Sequence, residues 1–208
     1  MLCGLAFPRV GWHGLAWVGM APLLLAARAA RPGWLPALAL AYATGLWAVV
    51  WDWGPAAIVH FFGQPLSAGL AVFFAFVVFT LLPPVLLALL AYRALSTRYA
   101  AALPWLAGST WAASELLRAR LYELPFPFGN PWATLGLSQV GVDTIQQLAS
   151  ATGVFGISFV LVAVNAALVE AIVAGGVSGP ARRALASAAL AVAATLVYGS
   201  FAPVSYTH

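Results

Sequence analysis

Between Trp53 and Tyr92 the chain runs for 40 residues without one Asp, Glu, Lys or Arg. A helix needs roughly 20 predominantly apolar residues to cross the hydrocarbon core of a bilayer, so this stretch alone is long enough for one crossing and an approach to it. It is not isolated. Val10–Ala27, Pro32–Trp51, Tyr99–Ser114, Thr144–Val169 and Ala184–His208 are also free of charge. Of the 208 residues, 63% are hydrophobic and 7% are charged, far from the soluble norm of about 25% charged. A disordered chain cannot be this apolar. One cysteine, Cys3, cannot build a disulfide framework or a zinc module. No long solvated basic face exists for nucleic acid. Continuous alternation of apolar and polar residues is absent, which argues against an outer-membrane barrel. Helices are then the spanning option, because a backbone in lipid must satisfy its own hydrogen bonds.

The reading is an all-α, polytopic transmembrane helical bundle of about six spans, forming a single domain over residues 1–208. The spans fall at about 12–27, 35–50, 66–92, 100–117, 151–173 and 184–201, with a loop at about 118–150. Pro83-Pro84 interrupts the third span. Gly54-Pro55 and Gly63-Gln64-Pro65 mark a loop before it, within which His60, Phe61 and Phe62 read as an interfacial segment. All nine basic residues are arginine, and there is no lysine. Arg28 and Arg31 follow the first span, Arg93 and Arg98 the third, and Arg182 and Arg183 the fifth. Alternating spans put these loops on one side, which the bias of Lys and Arg makes cytoplasmic. Arg9, Asp52, the 118–150 loop and the C-terminus then lie outside. Trp51, Trp53, Trp105, Trp111 and Trp132 suit the interfacial aromatic belts. Leu2–Phe7 reads as the last turn of a helix that begins upstream, so the chain is expected to be truncated at its start.

The informative residues run from Trp111 to Asn165. Glu115 and Arg118 are three apart near the end of the fourth span, close enough on one helix face to pair. Ionisable residues inside a span often carry function, and the other reading is that both snorkel to the interface. Three prolines within Pro125–Pro131 exclude a regular helix, and Phe126, Phe128 and Trp132 make that loop too apolar for ordinary exposure. It serves either as a substrate platform on the membrane surface or as a packed connector. Asn165, in mid-span, reads as helix–helix glue. His13 and His60 have no ligand partners at metal spacing, Cys3 has no base nearby in sequence, and nothing forms a nucleophile–base set. No catalytic residue, metal site or cofactor is assigned.

Trp111-Ala-Ala-Ser-Glu115-Leu-Leu-Arg118 resembles the W-x-x-x-E-x-L-R helix end of bacterial apolipoprotein N-acyltransferases. Asn130-Pro131-Trp132-Ala-Thr-Leu-Gly136-Leu-Ser138-Gln139 resembles that family's F-P-W-x-x-x-G-Y-S-Q loop, departing at Asn130 and Leu137. Gln147 to Asn165 is similar to the run that follows it. Leu5-Ala-Phe7-Pro8 and Leu15-Ala-Trp17 through Pro22-Leu23 are similar to the family's first helix end and second helix. The resemblance implies a multi-pass protein of the bacterial inner membrane. It implies a phospholipid acyl donor, a lipoprotein acceptor, and a periplasmic nitrilase-like domain with a Glu-Lys-Cys triad, inserted before the last span. The six spans would be the family's second to seventh, with the C-terminus periplasmic. After Phe201 seven residues remain, and with no lysine the triad cannot lie in this chain. The expectation is a catalytically incomplete membrane domain that works through a missing nitrilase-like domain or a separate subunit, and is inactive alone. The resemblance places Glu115, Arg118, Pro131, Trp132, Gly136, Ser138 and Gln139 at a lipid-facing entrance. The alternative reading is a stand-alone phospholipid-binding scaffold; a small transporter would need broken helices around a polar midplane site, hinted at only by Pro83-Pro84 and Asn165.

Overall fold

In the computed structural model, residues 2–121, 132–177 and 179–201 are described, and they contain helices and turns without a strand. In chain order the helices are α1 (Leu2–Leu5), α2 (Ala21–Ala29), α3 (Leu35–Val50), α4 (Gly54–Phe62), α5 (Leu66–Phe76), α6 (Leu82–Ser96), α7 (Leu103–Arg120), α8 (Asp143–Gln146), α9 (Ala149–Thr152), α10 (Val154–Val173) and α11 (Gly179–Phe201). Tight 3-10 turns at His13–Trp17, Pro32–Trp34 and Leu135–Gln139 complete it. Four stretches are long and apolar enough to cross a membrane: Pro32–Val50, Leu66–Ser96, Val154–Val173 and Gly179–Phe201. The all-α bundle is therefore as read, with four qualifying spans among the described residues against the six expected.

Both differences have physical causes. The expected first span carries Gly14, Gly19 and Pro22. It breaks into a 3-10 turn and the nine-residue α2, which at a rise of about 1.5 Å per residue is less than half a crossing. The expected fourth span does form a helix, the 18-residue α7, but Glu115, Arg118 and Arg120 remove it from the apolar set. The Gly54–Pro65 loop contains a helix. Pro55 opens α4 in the first turn, where its missing N–H costs nothing. Gly63 then closes it in the left-handed conformation at φ 63°, the usual glycine C-terminal stop.

Pro83-Pro84 does not end the third span. Leu66–Ser96 continues for 31 residues, and the five residues Val77–Leu81 loosen into a π-turn just before the prolines. A wider turn gives the proline rings room against the preceding carbonyls. Thr80 Oγ1 donates to Phe76 O at 2.6 Å there.

The core centres on α10, which packs against α7, α11, α2 and the Leu135–Gln139 turn. Trp51 and Trp111 are buried in that core rather than in an aromatic belt, whereas Trp53, Trp105 and Trp132 are exposed. Trp51 stacks on Phe73 and Trp111 meets Tyr42 edge-on. Two of the arginine-bearing connections meet at one end. Arg28, at the close of α2, forms an ion pair with Glu170 near the end of α10, and Arg93 of α6 donates through Nη1 to Arg28 O. Arg9 and Asp52, both assigned to the opposite side, pair with each other.

Candidate functional site

At the other end of α7 the chain must bury two charges, Glu115 and Arg118, which are 5% and 3% exposed. A charge away from water needs hydrogen-bonded partners. The two residues do not supply them to each other, because no Glu115–Arg118 contact falls within the 4.0 Å limit of an ion pair. Each instead takes hold of the backbone that follows the proline-rich loop. Glu115 Oε1 accepts from Leu135 N at 2.7 Å and from Trp111 Nε1, one turn earlier on α7, at 3.0 Å. Arg118 Nη1 donates to Trp132 O. Ala133, between them, sits at φ 56°, a left-handed conformation that costs an L-residue roughly 1–2 kcal/mol.

The rest of the segment is fixed just as closely. Gly136 N donates to Ser158 Oγ of α10 at 2.8 Å. A Cβ on Gly136 would lie 2.3 Å from Val154 O, so only glycine lets this backbone reach the start of α10. Ser138 is fully buried, and its carbonyl accepts from His13 Nδ1 at 2.7 Å. Gln139 Oε1 accepts from Trp17 Nε1 at 3.1 Å, while its Nε2 donates to His13 O and to Ser138 Oγ, each at 3.0 Å. Residues 132–139 thus form a short platform pinned to α7, α10 and the His13–Trp17 turn, with the Trp132 ring 54% exposed at its rim.

Of the residues expected at the entrance, Glu115, Arg118, Trp132, Gly136, Ser138 and Gln139 come together in this one cluster; Pro131 lies outside the described residues. Sequence reasoning missed His13 and Trp17. Each is more than 120 positions from its partner, and the available signal was two polar-tipped rings in a glycine-broken span, where they need bonding partners. Asn165 has a more specific task than glue. Its Oδ1 accepts from Met20 N and Ala21 N at 2.9 and 2.8 Å, and its Nδ2 donates to Ala16 O and Leu161 O. It satisfies Met20 N at the head of α2 and shares Ala21 N with Val18 O, where a helix start lacks carbonyl partners of its own.

The arrangement holds a surface in place through buried polar contacts. Among the described residues no group of three His, Cys, Asp or Glu side chains could hold a metal ion. Cys3 lies in α1 and is 2% exposed.

Fold and site together define a polytopic α-helical membrane protein that presents a rigid, polar-anchored platform at one end. The sequence model of the apolipoprotein N-acyltransferase N-terminal domain matches residues 1–167. A curated apolipoprotein N-acyltransferase of Geobacter metallireducens is 31% identical over 170 residues, which is 81% of this chain and 31% of the relative. The chain belongs to the apolipoprotein N-acyltransferase family, in the part that forms its N-terminal domain. It spans about a third of the length of that relative.

Proposed function

We propose that the chain is the membrane part of a phospholipid-to-lipoprotein N-acyltransferase of the bacterial inner membrane. Its arginine-rich end faces the cytoplasm, and the platform and C-terminal end of α11 face the periplasm. The reaction has two steps. A cysteine thiolate displaces the alcohol of a phospholipid ester, forming a thioester and releasing lysophospholipid. The N-terminal amine of a diacylglyceryl lipoprotein then attacks the thioester, forming an amide and returning the thiol. The 208 residues contain no lysine, so a Glu-Lys-Cys centre has to be supplied by a nitrilase-like domain outside them, and these residues alone are inactive. Glu115, Arg118, Pro131, Trp132, Gly136, Ser138 and Gln139 shape the surface over which the acyl chain approaches that centre.

The observation that carries this reading is the family match over residues 1–167, which includes the whole pinned platform. The test is reconstitution. The chain is co-expressed with a nitrilase-type catalytic domain in cells depleted of their own N-acyltransferase, and the lipoprotein N-terminal peptide is weighed by mass spectrometry. N-acylated peptide when both parts are present, and free amine when either is omitted, is the expected result. Free amine with both parts present would overturn the proposal, as would N-acylation by the chain alone.

A further inference from the structure

The π-turn and the two prolines after it open a groove of about 130 Å³ between α6 and the end of α7. Its walls are mostly apolar, formed by Phe79, Pro83, Pro84, Leu87, Leu117 and Leu121. Leu87 and Leu117 are 52% and 48% exposed, with Thr80 and Pro84 deeper in. Arg118 is the charged residue in its lining. It carries five N–H donors in a flat fork, is 3% exposed, and among the described residues makes one hydrogen bond, to Trp132 O. No carboxylate of a described residue lies within 4.0 Å of it.

Position matters as much as chemistry. Arg118 is two residues from the end of α7, the level at which a spanning helix meets lipid headgroups, while Glu115 one turn deeper is engaged with Trp111 and Leu135. A buried arginine near the end of a membrane helix, lining an apolar groove, matches an amphiphile with an anionic oxygen at its head and an alkyl chain behind it. Guanidinium binds such oxygens through two parallel, charge-assisted bonds.

We propose that Arg118 and the α6–α7 groove form a binding site for one membrane phospholipid, with the phosphate on Arg118 and an acyl chain along Leu87 and Leu117. This deepens the acyltransferase reading by naming where the donor lipid is held before transfer. The chemistry is shared by a free phosphate, and the lipid is favoured because the walls behind the cation are apolar.

The test measures retained lipid on the delipidated full chain by native mass spectrometry, with phosphatidylglycerol, a diacylglycerol of the same chains and inorganic phosphate as separate probes. The expected result is one phosphatidylglycerol held at least about tenfold more tightly than the diacylglycerol, the scale of a charge-assisted hydrogen bond. Excess inorganic phosphate should displace it weakly. Arg118→Gln should erase the preference. Because Arg118 also holds Trp132, Leu87→Trp provides a second variant, filling the groove without touching the cation, and should lower phosphatidylglycerol retention to the same degree. Equal retention of both lipids by the unmodified chain would overturn the proposal, as would unchanged retention in the Leu87→Trp variant or full displacement by inorganic phosphate. Retention requires no acyl transfer, so a failed reconstitution with intact lipid preference would remove the enzymatic reading and leave this site standing.

Discussion

Replacing Glu115 by leucine removes the acceptor that two buried donors share, Trp111 Nε1 and Leu135 N, while keeping a similar volume. A buried donor left without a partner costs about 1–3 kcal/mol, so two would cost about 2–6 kcal/mol if nothing else moved. Within a membrane the measured value per hydrogen bond averages only about 0.6 kcal/mol, because the unfolded chain also finds partners. Leu135 N belongs to the non-helical platform and has no helical carbonyl to fall back on, so its cost should be at the upper end and that of Trp111 at the lower. With about 1.7 kcal/mol for Leu135, the largest value found inside a membrane, and about 0.6 kcal/mol for Trp111, the sum is about 2–3 kcal/mol. At about 2–4 °C per kcal/mol for a chain near this size, Tm should fall by roughly 4–12 °C in lipid nanodiscs, read by tryptophan fluorescence. Glu115→Gln keeps a carbonyl oxygen at Oε1 and should lose less than half as much. A Glu115→Leu variant as stable as the Gln variant would refute the reasoning, since both donors would then be satisfied without the carboxylate.

Asn165→Leu strips four hydrogen bonds from the start of α2 and the middle of α10. It should cost about 2–3 kcal/mol on the membrane scale, whereas Asn165→Asp retains the two amide bonds and should cost less; equilibrium unfolding separates them. Ala133→Gly relieves a left-handed alanine and should stabilise the chain by roughly 1 kcal/mol, seen as a rise in Tm. Cys3 is buried against the bundle, 2% exposed. Maleimide labelling should be slow in the folded chain at pH 8 and should accelerate sharply on unfolding.

Much of this architecture was legible because lipid imposes simple rules. Charge-free length located the four long apolar helices, and arginine placement predicted that Arg28 and Arg93 would share an end. Gly54-Pro55 and Gly63 were rightly seen as punctuation, but the same residues that end a helix also start one, and α4 between them was missed. The first span failed for the opposite reason: its composition is apolar enough to cross, but its glycines and Pro22 prevent a continuous helix, and Asn165 makes the break tolerable from 145 positions away. Glu115 and Arg118 illustrate the limit at the site. Their spacing permits a pair on one helix face, yet their partners are the backbone of Leu135 and Trp132, groups every residue carries and no side-chain pattern announces. Tight approach at Gly136 was likewise invisible until Val154 was known to lie against it.

Residues 132–139 are a platform locked by buried polar groups rather than a solvated connector. Amide hydrogen exchange of Leu135 and Gly136 tests it most directly, because both N–H groups donate to buried side chains, Glu115 and Ser158. Both should exchange as slowly as the amides of α7 and α10 that flank them, and Leu135 should lose its protection in the Glu115→Leu variant. Exchange at both positions as fast as in the exposed turn at Gly175 would show that the segment is not locked.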